Sequence, residues 1–184
     1  EDYVKLRWME ITCGEAPFMT SRYDTTTGRA IHIEDRIGFL DRKLRIVNEN
    51  TCNREDWFDA AVTAYQTSRA YEWQGDNLLL ARESLLYTFI DNYEYKFGER
   101  PDHELVREIA DIISWNVWQM DGLKGVIPNS CHDVENRNLY GEIERTPCPG
   151  CKTNNIHNHN GIPVLLKAFS SGNTYPFHLL SKKR

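Results

Sequence analysis

The chain has 184 residues, of which 40% are hydrophobic and 27% charged, and a formal net charge of −5. That length fits one domain with at most a small appendage, and five Trp, nine Tyr and seven Phe exclude a chain that stays unfolded. No apolar run reaches the roughly 18–20 residues that span a bilayer, and the acidic balance excludes a protein that coats nucleic acid by charge alone.

The chain opens at Glu1 with no signal-peptide pattern, which reads as a cytoplasmic protein, or an excerpt of one with residues missing upstream. Tyr3–Cys13 ends as a strand that runs into a turn at Gly14. After a Ser/Thr/Gly-rich loop at 21–30, Ile37, Leu40, Leu44 and Val47 recur at helical spacing, which predicts an amphipathic helix from Ile33 to about Asn50. Asn53 caps a second helix whose first turn holds Glu55 and Asp56. Ala70–Gln74 reads as a short buried strand, followed by a long helix from Leu78 to about Phe97 that Gly98 closes. Pro101-Asp102 opens a further helix with Leu105, Ile109, Ile112 and Ile113 on one face, and Trp115–Met120 reads as a third strand. Beyond Pro128 the composition turns to Asn, His, Cys, Pro and Gly, which predicts a core over 1–128 and a separate segment over 129–184. Helices alternating with short apolar segments give a helix-rich α/β class.

Glu10-Ile11-Thr12-Cys13-Gly14-Glu15-Ala16-Pro17-Phe18 joins a strand to a turn of small residues, where backbone N–H groups can approach a ligand. This stretch resembles motif I of gamma-class adenine-N6 DNA methyltransferases, Asp-Pro-(Ala/Ser)-Cys-Gly-x-Gly-x-Phe-Leu, with Ile11 in place of its Pro and Ala16 in place of its second Gly. Glu72, followed nine residues later by Ala81-Arg82, is similar to the family's motif II, whose acid binds the cofactor ribose. Asp121 in Gln119-Met120-Asp121-Gly122-Leu123 is similar to its motif III, whose Asp holds the cofactor adenine. The run from about 8 to 130 also resembles proteins named restriction-modification methylase subunits, through phrases such as Glu-Ile-Thr-Cys-Gly-Glu-Ala-Pro, Gln-Gly-Asp-Asn-Leu-Leu and Ile-Ile-Ser-Trp-Asn. The resemblance implies a Rossmann-like class I methyltransferase core. It implies S-adenosylmethionine held by Thr12, Cys13, Gly14, Glu15, Ala16, Phe18, Glu72 and Asp121, with DNA as a partner. The family's catalytic (Asn/Asp/Ser)-Pro-Pro-(Tyr/Phe) is absent, and Thr174-Tyr175-Pro176-Phe177 matches only its last two positions. A second protein chain, or a segment outside this sequence, would then supply it.

The five cysteines are uneven: Cys13 and Cys52 stand alone, while Cys131, Cys148 and Cys151 gather near four of the six histidines. Cys148-Pro149-Gly150-Cys151 is a knuckle that turns two sulfurs toward one ion, and His157 and His159 follow six and eight residues on. The expected zinc ligands are Cys148, Cys151 and one or both of His157 and His159, with Cys131 as the substitute. Such a site, closed by protein ligands alone, is structural. The basic residues Arg36, Arg42, Lys43 and Arg45 are interleaved with Glu34, Asp35 and Asp41, which reads as a solvated helix face, and Lys182-Lys183-Arg184 as a solubilising tail. Two functions compete: an S-adenosylmethionine-dependent DNA adenine-N6 methyltransferase-like protein, and a non-catalytic zinc-containing module that binds DNA or protein through a degenerate methylase fold.

Overall fold

The computed structural model describes residues 2–181 and divides the chain into two compact units, Glu1–Trp118 and Gln119–Arg184. The basic tail Lys182-Lys183-Arg184 lies outside the described residues. No helix of the described residues is long and apolar enough to cross a membrane.

The first unit is built on parallel pairing. Strand β1 (Trp8–Ile11) pairs in parallel with β2 (Ser68–Glu72), Trp8 opposite Ser68 and Ile11 opposite Tyr71, and β3 (Val117–Gln119) completes the order β1-β2-β3. A parallel neighbour requires a crossover. Helices α2 (Phe39–Asn50) and α3 (Arg54–Gln66) supply it between β1 and β2, and α4 (Gly75–Phe97) and α5 (His103–Asn116) connect β2 to β3. A four-residue helix α1 (Asp2–Lys5) precedes β1.

Local signals set several boundaries. The Asn53 side chain accepts from the Asp56 N–H at 2.9 Å, which satisfies one of the free amides at the start of α3. Several boundaries differ from the sequence expectation: β2 runs over Ser68–Glu72 rather than 70–74, and α4 starts at Gly75 rather than Leu78. The amphipathic helix starts at Phe39 rather than Ile33, because Asp41 Oδ2 accepts from the Gly38 N–H at 3.0 Å and from the distant Ser21 N–H at 2.7 Å, which fixes the entry of the chain. At the other end of the unit, Trp115 and Asn116 remain helical. The Asn116 amide donates to the carbonyl oxygens of Tyr65 and Gln66 at 2.8 and 3.1 Å, so the third strand begins only at Val117.

Trp57 anchors the core. It is fully buried against Phe89, Tyr93 and Phe97 at ring separations of 5.4–5.8 Å, and its indole N–H donates to Asn48 Oδ1 at 2.7 Å. Truncating an aromatic of this kind costs about 3–5 kcal/mol. The basic cluster on α2 and just before it is not a solvated face. Arg36 is buried and pairs with Asp91 at 2.8 Å, while Arg45 donates to the carbonyls of Glu34 and Arg36. Lys43 is fully buried, its ammonium donating to Leu6 O and Thr67 Oγ1 at 2.6 Å each. Only Arg42 of the four is exposed. The Lys43 stem ties α2 to the start of β1 and to the end of α3, a job for which a hydrogen-bonding tip on a long apolar stem is needed.

The second unit is made of short pieces. Strands β4 (Val134–Arg137) and β5 (Ile143–Thr146) form one antiparallel hairpin, and β6 (Leu165–Lys167) and β7 (Thr174–Pro176) a second. A single-turn helix α6 (Pro149–Thr153) lies between them in sequence. Val164, Val126 and Phe177 supply its small apolar centre. Phe177, the last residue of the Thr-Tyr-Pro-Phe string, is therefore a packing residue.

Candidate functional site

In the first unit the chain leaves β1 through a turn whose backbone alternates into the left-handed region: Thr12 at φ 66°, Gly14 at φ 57° and Ala16 at φ 64°. A β-branched Thr rarely adopts that conformation, and holding two non-glycine residues there costs of order 1–3 kcal/mol each. The turn is fixed from three sides. The Cys13 N–H continues the ladder to Tyr71 O at 2.9 Å, the Ala16 N–H closes onto Cys13 O at 2.8 Å, and the Gly14 N–H donates to Glu72 Oε2 at 2.7 Å. The other Glu72 oxygen accepts from the Gln74 N–H at 3.0 Å. Glu72 thus bridges the carboxyl ends of β1 and β2, and it is only 7% exposed.

The residues assigned to the cofactor divide accordingly. Gly14 and Glu72 are in direct contact, and Thr12, Cys13 and Ala16 belong to the same turn. The Cys13 side chain is 2% exposed, and burial together with the carboxylates of Glu10 and Glu72 pushes its thiol up to about 12, so it acts as a core group and not as a nucleophile. Glu15 is exposed and accepts a hydrogen bond from the Tyr23 hydroxyl, and Phe18 is 75% exposed. Asp121 belongs to the second unit, where its carboxylate accepts from the Leu123 N–H at 3.1 Å and pairs with Lys124 at 3.3 Å. Sequence reading passed over Glu10 except as a motif position. Its Oε2 is buried with no hydrogen-bond partner among the described residues, and burial pushes its carboxyl up to about 7.

In the second unit Cys131, Cys148, Cys151 and His159 converge, with one donor atom from each and all four within 4.8 Å of one another. The His159 Nδ1 lies 3.6 Å from Cys131 Sγ and 3.7 Å from both Cys148 Sγ and Cys151 Sγ. Tetrahedral zinc with Zn–S of about 2.3 Å and Zn–N of about 2.0–2.1 Å requires S···N edges of about 3.6 Å. The donor set fits a zinc ion in both chemistry and size.

Of the expected ligands, Cys148, Cys151 and His159 are brought together, and Cys131 takes the fourth place instead of His157. The reason is local. Asn155 accepts from the His157 N–H at 3.0 Å and starts a tight turn over 156–158. The His157 ring packs edge-on to His178, 5.6 Å between centroids, and His157 lies outside the cluster. Close approach shapes the rest. A Cβ on Gly150 would lie 2.5 Å from His159 N and 2.6 Å from its ring, and one on Gly161 would lie 3.1 Å from Cys131 Sγ.

The thiols are prepared for a cation. Although burial opposes ionisation, N–H groups of Asn160, Cys151 and Gly150 and the His159 ring bring the Cys148 thiol down to about 6. Burial and the neighbouring Cys148 and Cys151 sulfurs push Cys131 up to about 11, a penalty that a bound dication removes. Three thiolates and one neutral imidazole around Zn²⁺ carry a net charge of −1. Lys124, whose ammonium is favoured by Asp121 and by the Cys151 and Cys131 sulfurs against partial burial, offsets that charge. Comparison with protein-family models, curated proteins and solved structures finds no match for the chain.

Proposed function

We propose that the chain is a zinc-stabilised, methyltransferase-like protein whose first unit takes S-adenosylmethionine at the carboxyl ends of β1 and β2 and serves adenine-N6 modification of DNA. The observation that carries the reading is the 2.7 Å hydrogen bond from the Gly14 N–H to Glu72. It joins in space the two segments that resemble motifs I and II. The order β1-β2-β3, with β1 and β2 parallel and joined through helices, supports this reading, since ligands of doubly wound sheets bind outside the carboxyl ends of the strands.

The residues present can accommodate the cofactor's ribose. A carboxylate offers about four acceptor sites, and backbone N–H groups occupy two of those on Glu72, which leaves capacity for a cis-diol. Ala16 adopts the left-handed backbone that a glycine would otherwise supply. When bound, the cofactor supplies an electrophilic methyl group, and this chain's part is to orient it through the Gly14 turn and Glu72. The base-binding Pro-Pro motif would come from a second protein chain or from sequence outside these 184 residues.

A specific observation favours the second reading, a non-catalytic zinc-containing module. Glu72 is nearly buried and both its oxygens are engaged, so the same contacts also serve as a structural lock. Calorimetric titration of the zinc-loaded protein with S-adenosylmethionine and with its demethylated product separates the two. The methyltransferase-like reading expects saturable heat near one equivalent, weakened about tenfold in Glu72→Gln by loss of a charged acceptor. No heat at high micromolar ligand would overturn it in favour of the module.

A further inference from the structure

The candidate zinc ligands Cys131 and Cys148 bracket the β4–β5 hairpin, so its two feet meet at the donor cluster, and six of its eight strand residues are exposed. Its turn is locked. The Asn138 N–H donates to Glu142 O at 3.0 Å, and Asn138 Oδ1 accepts from the N–H groups of Tyr140 and Glu142, both at 3.0 Å. A rigid two-stranded sheet of this kind has an open edge, and open edges attract a further strand.

The register identifies which groups are open. Antiparallel pairs alternate between bonded and non-bonded, and the Asn138–Glu142 bond makes Asn136 opposite Glu144 the next bonded pair. The backbone N–H and C=O groups of Glu135 and Arg137 therefore point away from β5. On the same face of that edge the charges alternate. Glu135 is paired with Arg145 across the hairpin at 2.8 Å, and Arg137 has no ion-pair partner among the described residues.

We propose that this edge pairs with the same edge of a second copy of this chain, antiparallel, with Asn136 facing Asn136 of the second copy across a two-fold axis. That is a register in which the outward backbone groups of both strands meet: Glu135 falls opposite Arg137 of the second copy, and Arg137 opposite its Glu135. Four main-chain hydrogen bonds form. Each Glu135 gains a second arginine, and each Arg137 gains the carboxylate it lacks. Slipping by two residues places Glu135 against Glu135 or Arg137 against Arg137, so charge selects the register. An isologous contact closes at two copies and exposes no new edge of the same kind. Nucleic acid is the poorer occupant, because residues 131–148 carry four acids against two arginines.

Sedimentation equilibrium of the full, zinc-loaded chain tests this, from low micromolar to near-millimolar protein. The expected result is a monomer–dimer equilibrium that weakens with salt. Arg137→Glu removes no ion pair among the described residues, and it should raise the dissociation constant about tenfold, because two symmetry-related attractions become repulsions. The triple exchange Glu135→Arg, Arg137→Glu, Arg145→Glu rebuilds every pair with reversed sign and should restore the dimer at unchanged zinc content. A monomer throughout, a dimer indifferent to Arg137→Glu, or a zinc-loaded triple variant that stays monomeric would each overturn the proposal. Should the triple variant lose zinc, the response to Arg137→Glu alone decides.

Discussion

Replacing Cys131 by Ser removes one of four converging donors and leaves an open, three-ligand site. A structural zinc site in a small domain is worth about 10–16 kcal/mol over four ligands, so one ligand accounts for about 2.5–4 kcal/mol, or roughly a hundred- to thousandfold in affinity. The S···N distances of 3.6–3.7 Å match tetrahedral edges on all three sulfurs, so Cys131 is placed as well for the ion as the two knuckle cysteines. Competition with a chromophoric zinc chelator measures this directly. Cys131→Ser should release zinc at far lower chelator concentration, whereas His157→Ala should change affinity by no more than about twofold, since its ring lies outside the donor set. If Cys131→Ser holds zinc as the parent does, or if His157→Ala releases it as readily as His159→Ala, the assignment of the fourth ligand is wrong.

Three further outcomes follow from the packing and the ionisable groups. Gly150→Ala drives a methyl group into the His159 backbone and ring and should release zinc although it alters no ligand, as elemental analysis after chelator washing would reveal. Lys43, which burial brings from 10.5 down to about 8, loses its proton more readily in the folded than in the unfolded chain. The unfolded state binds more protons between those values, so stability rises as pH climbs from about 8 to 10.5. The difference in urea midpoint between parent and Lys43→Met should grow over that window, and parallel curves would refute the assignment. Glu10 runs the other way: raised from 4.5 to about 7, it holds its proton better when folded, so its stabilisation is full below 4.5 and is lost as pH rises toward 7. Glu10→Gln should flatten that decline, which urea unfolding at a series of pH values would show.

Features set by neighbouring residues were legible in the sequence. The Asn53 cap, the Gly98 helix end and the Cys-Pro-Gly-Cys knuckle each need only a few adjacent side chains, and each is present. What escaped depends on partners far along the chain. Ser21 delays the start of α2 by binding Asp41, and the Tyr65 and Gln66 carbonyls prolong α5 by binding Asn116. A spacing of charges could not disclose that Lys43 points inward, because its partners Leu6 and Thr67 lie 37 and 24 residues away. The choice of Cys131 over His157 is hidden for the same reason: only the β4–β5 hairpin returns Cys131 to Cys148, 17 positions on. The contact between Gly14 and Glu72, 58 residues apart, needed the parallel register of β1 on β2.

The decisive property of the first unit is whether the Gly14 turn and Glu72 hold S-adenosylmethionine. Amide hydrogen exchange of the zinc-loaded chain, with and without saturating cofactor, reads that out residue by residue. The expected result is added protection concentrated at residues 12–18 and 72–75, with the Cys131–His159 segment unchanged. Uniform exchange with and without cofactor, or protection confined to other parts of the chain, would contradict it.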